Sequence, residues 1–120
     1  MEKEIFTDLI KNLPSADIPF KGVTGWIFQS NDHQIVFMEI EAIGEVAEHS
    51  HGAQWGIVVD GKMDLTIGGI TKTYTKGDYY SIADGQLHSA VFHTKTYVID
   101  YFAEAVFTFN GIGKRKTRAR

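Results

Sequence analysis

Cysteine is absent from this 120-residue chain, so no disulfide framework holds it and no thiol serves as ligand or nucleophile. Proline occurs twice, at Pro14 and Pro19, and no proline-rich linker divides the sequence. An excess of positive charge is missing too: 12 Lys and Arg stand against 15 Asp and Glu, a net charge of −3. The body of the chain therefore offers no electrostatic case for nucleic acid as a partner. No apolar run approaches the length that spans a bilayer, which argues against a membrane partner. The N-terminus lacks the cationic start and apolar core of a secretory signal, so a cytoplasmic location is the default expectation. One local exception is the basic run Lys114, Arg115, Lys116, Arg118 and Arg120. It is short and has no aromatic interleaving, so residues 111–120 are expected to be a disordered, solubilising tail.

What is present fits one domain with a single core: 43% hydrophobic residues and fifteen aromatics, eight Phe, five Tyr and two Trp. Ile5, Phe6, Leu9, Ile10 and Leu13 follow a spacing closer to 3.6 than to 2. That spacing predicts a short helix or arm that ends at Pro14, with residues 1–24 packing on the body. From about Gly25 the pattern changes to short β-branched and aromatic segments separated by turn residues. Strands are expected at Trp26–Phe28, Ile35–Ile40, Trp55–Val59, Met63–Ile67, Ile70–Tyr74, Tyr79–Ile82, Ser89–His93 and Tyr97–Phe102. Asp60-Gly61 between two such segments is a strong hairpin signal. About eight short strands without intervening helices point to an all-β sandwich or closed barrel over residues 25–110.

The chemistry concentrates in His49-Ser50-His51, with Gln54 three residues on and His88 further downstream. If His49 and His51 lie on one strand, alternation points both imidazoles to the same face. Neutral imidazole is the commonest protein metal ligand, and two converging rings need further donors to close a site. Gln54 offers an amide oxygen, and His88 returns from a distant segment.

These residues also carry a family resemblance. The first cupin motif reads G-x5-H-x-H-x3,4-E-x6-G, and here Gly44, His49, His51, Gln54 and Gly61 follow that order. Four residues rather than five separate Gly44 from His49, the His51–Gln54 loop is short, and Gln54 stands in the Glu place. The second motif, G-x5-P-x-G-x2-H-x3-N, is matched by Gly77, Gly85 and His88, with Ala83 for Pro and Phe92 for Asn. The chain thus resembles the small single-domain microbial cupins. That resemblance implies a double-stranded β-helix, or jelly-roll, barrel in which His49, His51, Gln54 and His88 converge as metal ligands. It also implies a homodimer.

Three neutral imidazoles and an amide would leave a divalent cation its full charge, which favours anionic ligands. Such a set suits Fe, Ni, Zn, Cu or Mn better than Mg or Ca. Gln54 would either ligate directly or hydrogen-bond a metal-bound water. Glu39, Glu41, Glu48, Tyr79, Tyr80 and Tyr101 are the candidates for proton transfer. Ala90 and Phe92, alternating with His88, should form an apolar wall. Trp55 either roofs the pocket or fills the second sheet's core, while His33 and His93 should lie outside the site. The expected function is metal-dependent turnover of a small polar or anionic molecule by an oxygenase, isomerase or lyase. The alternative is a non-catalytic module that binds or senses a small molecule.

Overall fold

The computed structural model describes residues 4–108, so the basic tail expected over residues 111–120 lies outside the described residues. After one helical turn, α1 (Asp8–Lys11), the chain forms strands only. They are β1 (Val23–Gln29), β2 (Gln34–Ile40), β3 (Gly44–His49), β4 (Gln54–Asp60), β5 (Lys62–Ile67), β6 (Ile70–Thr75), β7 (Tyr79–Ile82), β8 (His88–Phe92) and β9 (Thr96–Phe102). A five-stranded sheet runs β1-β2-β9-β4-β7 and a four-stranded sheet runs β3-β8-β5-β6. Every pairing is antiparallel. This is the all-β jelly-roll that the strand spacing and the motifs predict.

The alternation that makes these strands also makes the core. In β2 every second side chain is buried, from Gln34 through Val36 and Met38 to Ile40. Val58, Val98, Ile82 and Phe102 face the same way from the five-stranded sheet, and Met63, Leu65 and Phe92 come from the other sheet. Gly61 lies at φ 107° in the turn between β4 and β5, a backbone conformation that Gly adopts without a Cβ penalty.

A second cluster sits on the opposite face of the five-stranded sheet. Phe6 meets Trp26, Phe37 and Tyr97 edge-on at centroid distances of 6.4, 5.7 and 5.8 Å. Burying that one ring is worth about 2 kcal/mol, enough to hold a segment whose helix is too short to stand alone. Ile5, Ile10 and Leu13 join the cluster, while Leu9 points to solvent.

Two segments then cross toward the gap between the sheets. Asp17 N–H donates to the Thr108 carbonyl, which joins residues 17–20 to residues 106–108. Fully buried Gln34 holds the second segment: its Oε1 accepts from the Val106 and Phe107 amides, and its Nε2 donates to the Phe107 carbonyl.

Candidate metal centre

The strand that carries His49 breaks its own alternation to do so. Gly44, Glu45 and Val46 pair with Phe92, Val91 and Ala90, but His49 then pairs with His88, so β3 contains one extra residue. In unbroken alternation Val46 and Glu48 would share a face and His49 would point away. The bulge reverses the phase and turns His49 inward beside His88, leaving Ala47 and Glu48 both exposed. The Ala47 carbonyl inside the bulge accepts the His49 Nδ1–H at 2.8 Å.

His51 reaches the same point by another route. β3 ends at His49, so His51 lies in the loop before β4, and strand alternation is not what aligns the pair. The loop is tied down instead: Gly52 N–H donates to Glu104 Oε2 at 2.9 Å, and Gly85 N–H donates to the His51 carbonyl at 2.9 Å. The second bond joins the turn that delivers His88 to the loop that delivers His51. In that turn Ala83 has an N–H that a proline would lack, and Gln86 Oε1 accepts it.

The three imidazoles meet with ring centroids 4.3 to 5.4 Å apart. One ring nitrogen from each lies within 4.8 Å of the other two, an arrangement that could hold a metal ion. Each Nδ1 faces a backbone carbonyl: Ala47 for His49, Gly52 for His51 at 2.9 Å, and Gln86 for His88 at 2.9 Å. A carbonyl only accepts, so every Nδ1 carries the proton and every Nε2 presents a lone pair. Burial lowers the His88 pKa, the hydrogen bond to Gln86 acts the other way, and neighbouring His49 and His51 lower it further. With each Nδ1 turned to a carbonyl, the Nε2 atoms are the ones left to meet a cation.

Gln54 opens β4 and lines the same cavity as the three rings. Its side chain hydrogen-bonds Asp100, which accepts through a carboxylate and so must face the amide nitrogen. That leaves Oε1 buried without a hydrogen-bond partner, a state that costs free energy unless a ligand meets it. The three imidazoles could hold a divalent transition metal, and the unpartnered Gln54 oxygen lies in the wall of the same cavity, so the residues fit one.

Asp100 is the residue that sequence reasoning missed. It is 3% exposed, and Tyr80 Oη donates to its Oδ1 at 2.7 Å. Burial raises the Asp100 carboxyl to about 6, against the downward pull of the Tyr80 and Gln54 hydrogen bonds. Burial also pushes Tyr80 well above the ordinary phenol value, with the Asp100 charge adding to it. Gly56, in register with both Tyr80 and Asp100, makes room for them. A Cβ there would lie 2.0 Å from Asp100 Oδ1 and 2.4 Å from the Tyr80 ring. The available signal was alternation in β9: Val98, Asp100 and Phe102 share a face, so the acid interrupts an apolar row.

Of the proton-transfer candidates only Tyr80 lines the cavity. Tyr79, Tyr101, Glu41 and Glu48 are exposed, and Glu39 meets Lys11 and Lys95 on the outer surface. Trp55 neither roofs the pocket nor fills a core; it is 41% exposed and stacks on Tyr79 at 6.0 Å. Its strand position, one residue after inward-facing Gln54, puts it on the outer face. Ala90 and Phe92 line the cavity beside His88. His33 and His93 lie outside, on Tyr101 Oη and Asp64 respectively.

Comparison with known proteins agrees with this geometry. A family model described as "Cupin domain" matches residues 36–100, more than half of the chain. An RmlC-like cupin from Shewanella frigidimarina superposes with a TM-score of 0.71 at 24% identity, covering 87% of this chain and 94% of that one. KdgF from Halomonas sp. gives a TM-score of 0.67 at 22% identity, over 74% of this chain and 86% of that one. A variant oxalate decarboxylase from B. subtilis gives 0.68 at 18% identity, over 82% of this chain and 29% of that one. No curated protein matches the sequence. Identities this low carry the fold and not an activity.

Proposed function

The chain belongs to the cupin family, and from that premise we propose a divalent-metal-dependent enzyme that shifts protons on a small molecule. The observation that carries this reading is the set of three pinned imidazoles that come together in a cavity also lined by the unpartnered Gln54 oxygen. In this reading His49, His51, His88 and Gln54 hold the ion, which is Fe, Ni, Zn, Cu or Mn. A bound cation would act as a Lewis acid toward a carboxylate, carbonyl or enolate oxygen.

The residues of the chain supply the rest. Backbone carbonyls hold each imidazole in one tautomer, so no ring has to reorient to bind. None of the four donors is anionic, so the site's charge favours an anionic group on the bound molecule. Asp100 orients the Gln54 amide, and as a buried carboxylate in the cavity wall it is the group to take a proton from carbon or return one. Tyr80 donates to the ionised Asp100 and steadies it. Such a group favours isomerase or lyase chemistry over oxygenation, because proton transfer needs no further reactant.

The test is hydrogen exchange. Metal-loaded protein incubated with 2-oxo acids in D2O should incorporate deuterium beside the carbonyl, followed by NMR. Asp100→Asn should keep its metal through the three imidazoles and lose the exchange. Undiminished exchange in that variant would reject Asp100 as the proton-transfer group. The mainly apolar lining favours a second reading, a non-catalytic binding module. Tight binding by wild type with no exchange would select it. A homodimer belongs to the proposal as well. Phe28, Ile35, Tyr101 and Trp55 form one register row on the outer face of the five-stranded sheet, and light scattering at tens of micromolar checks it.

A further inference from the structure

The cavity between the sheets has a volume of about 480 Å³, within the range of small-molecule sites. Strand register sets out its contents row by row. At one end His49 pairs with His88, which also pairs with Ile67, and across the gap Gln54 pairs with Phe102 and Ile82. One step along, Ala90 pairs with Val46 and Leu65 in one sheet, and Asp100 pairs with Gly56 in the other. A further step brings Phe92 with Met63 in one sheet and Val98 with Met38 in the other. Four residues along β8, from His88 to Phe92, measure about 13 Å. The histidines and Gln54 thus stand at one end, Asp100 lies one row in, and the strand row of Phe92, Met63, Val98 and Met38 is apolar.

Charge sharpens the asymmetry. Among the described residues that line the cavity there is no Lys or Arg, and Asp17 and Asp100 are its two carboxylates. Tyr80 Oη is already committed to Asp100, as is one face of the Gln54 amide. A second anionic group, or a ring of hydroxyls, would enter the far rows without a partner, and burying it there is costly. Met38 and Met63, unbranched and adaptable, suit a variable apolar body instead.

We infer that the cavity takes an amphiphile with one anionic head at the histidine end and an apolar body along Val46, Leu65, Met63 and Phe92. It disfavours compact polyhydroxylated or multiply charged acids. The head-group part rests on the metal reading above; the body part rests on the register and the lining.

A calorimetric series on one preparation of untagged protein, split into metal-loaded and chelator-treated halves, tests this. The probes are acetate, butanoate, hexanoate and octanoate, with adipate and galacturonate for contrast. In the loaded half affinity should rise roughly fourfold per methylene until the cavity is filled. Hexanoate should bind at least tenfold more tightly than adipate or galacturonate. Ala90→Leu, which fills the middle row, should cost octanoate tenfold or more while metal content stays unchanged. If that variant fails to fold, Val46→Phe fills the same row from the facing strand. A preparation that takes up no metal overturns the metal reading and the head-group assignment with it. A preparation that binds metal yet gives a flat series, or prefers galacturonate, overturns the amphiphile alone.

Discussion

His88 and His93 stand five residues apart around β8, while Asp64 lies on β5 beside it and Asp100 on β9 of the other sheet. Each face thus holds an imidazole and an acid, in opposite surroundings. On the outer face His93 Nε2 meets Asp64 Oδ2 at 2.9 Å, and Thr73 donates to the other oxygen at 2.6 Å. Those hydrogen bonds, Thr73 first and His93 second, lower the Asp64 pKa. Inside, His88 faces two further imidazoles rather than a carboxylate, and burial raises Asp100 instead. The outer pair is complete as it stands. On the inner face Gln54 Oε1 is buried with no partner beside the cavity of the three imidazoles, and an unmet buried acceptor is what a ligand site looks like before its ligand arrives.

The largest expected effect removes the inner donors. His49→Ala with His51→Ala should abolish stoichiometric metal by elemental analysis, a loss beyond the ~10–100-fold of removing an outer partner. The variant should stay a folded β protein, since the barrel rests on apolar burial. His93→Ala with Asp64→Ala should leave metal content unchanged. Equal metal in wild type and the inner double variant would erase the distinction between the two groups.

Asp100→Asn comes next and is read on metal-free protein. A rise from 3.8 to about 6 means that the folded state holds this proton more tightly than the unfolded chain does. The Asp100 contribution to stability is therefore most favourable below pH 4, falls as pH rises toward 6, and is flat above. The full penalty is about 3 kcal/mol. Asparagine keeps an acceptor for Tyr80 without the buried charge. Its melting temperature should exceed that of wild type at pH 8 and lose the slope between pH 4 and 6. An unchanged slope would mean that Asp100 is not the buried acid the geometry describes.

The same contrast explains what could be read in advance. All eight expected segments carry enough β-branched and aromatic residues to be seen, Met63–Ile67 with the help of the Gly68-Gly69 turn that follows it. β3 was missed because Glu45 and Glu48 leave Val46 as its one β-branched residue, and because its bulge breaks the period of two. His49, His51 and His88 were legible as a cluster, but not the reason they meet: alternation was expected to align the first two, and a bulge and a pinned loop do so. Trp55 was open because hydrophobicity does not report which face a residue takes. Asp100 was passed over because its meaning depends on burial, which composition does not show.

Gly56→Ala is a smaller steric probe of the inner face. A Cβ placed 2.0 Å from Asp100 Oδ1 must displace the acid or the Tyr80 ring. Overpacking of this kind costs about 1–3 kcal/mol. Chemical denaturation should show that loss in Gly56→Ala, and Tyr80→Phe should not relieve it, because the ring carbons that the Cβ would meet remain. Full retention of stability in Gly56→Ala by itself would place the Asp100 carboxylate elsewhere.

The smallest effect belongs to the outer pair, and its sign is the point. Asp64 has a lowered pKa in the folded state, so its contribution is present above the unfolded value of 3.8 and is lost as pH falls through the folded one. Asp64→Asn should therefore lower the melting temperature slightly at neutral pH and make no difference under strong acid. Exposure and salt screening keep the change small, and added salt should shrink it further. Asp100→Asn does the reverse at neutral pH, raising the melting temperature by more. Thermal scans of both variants from pH 3 to 8 set the two acids side by side. If both shifts carry the same sign, burial and pairing do not separate these groups, and the inner face loses its claim to be a site built for a ligand.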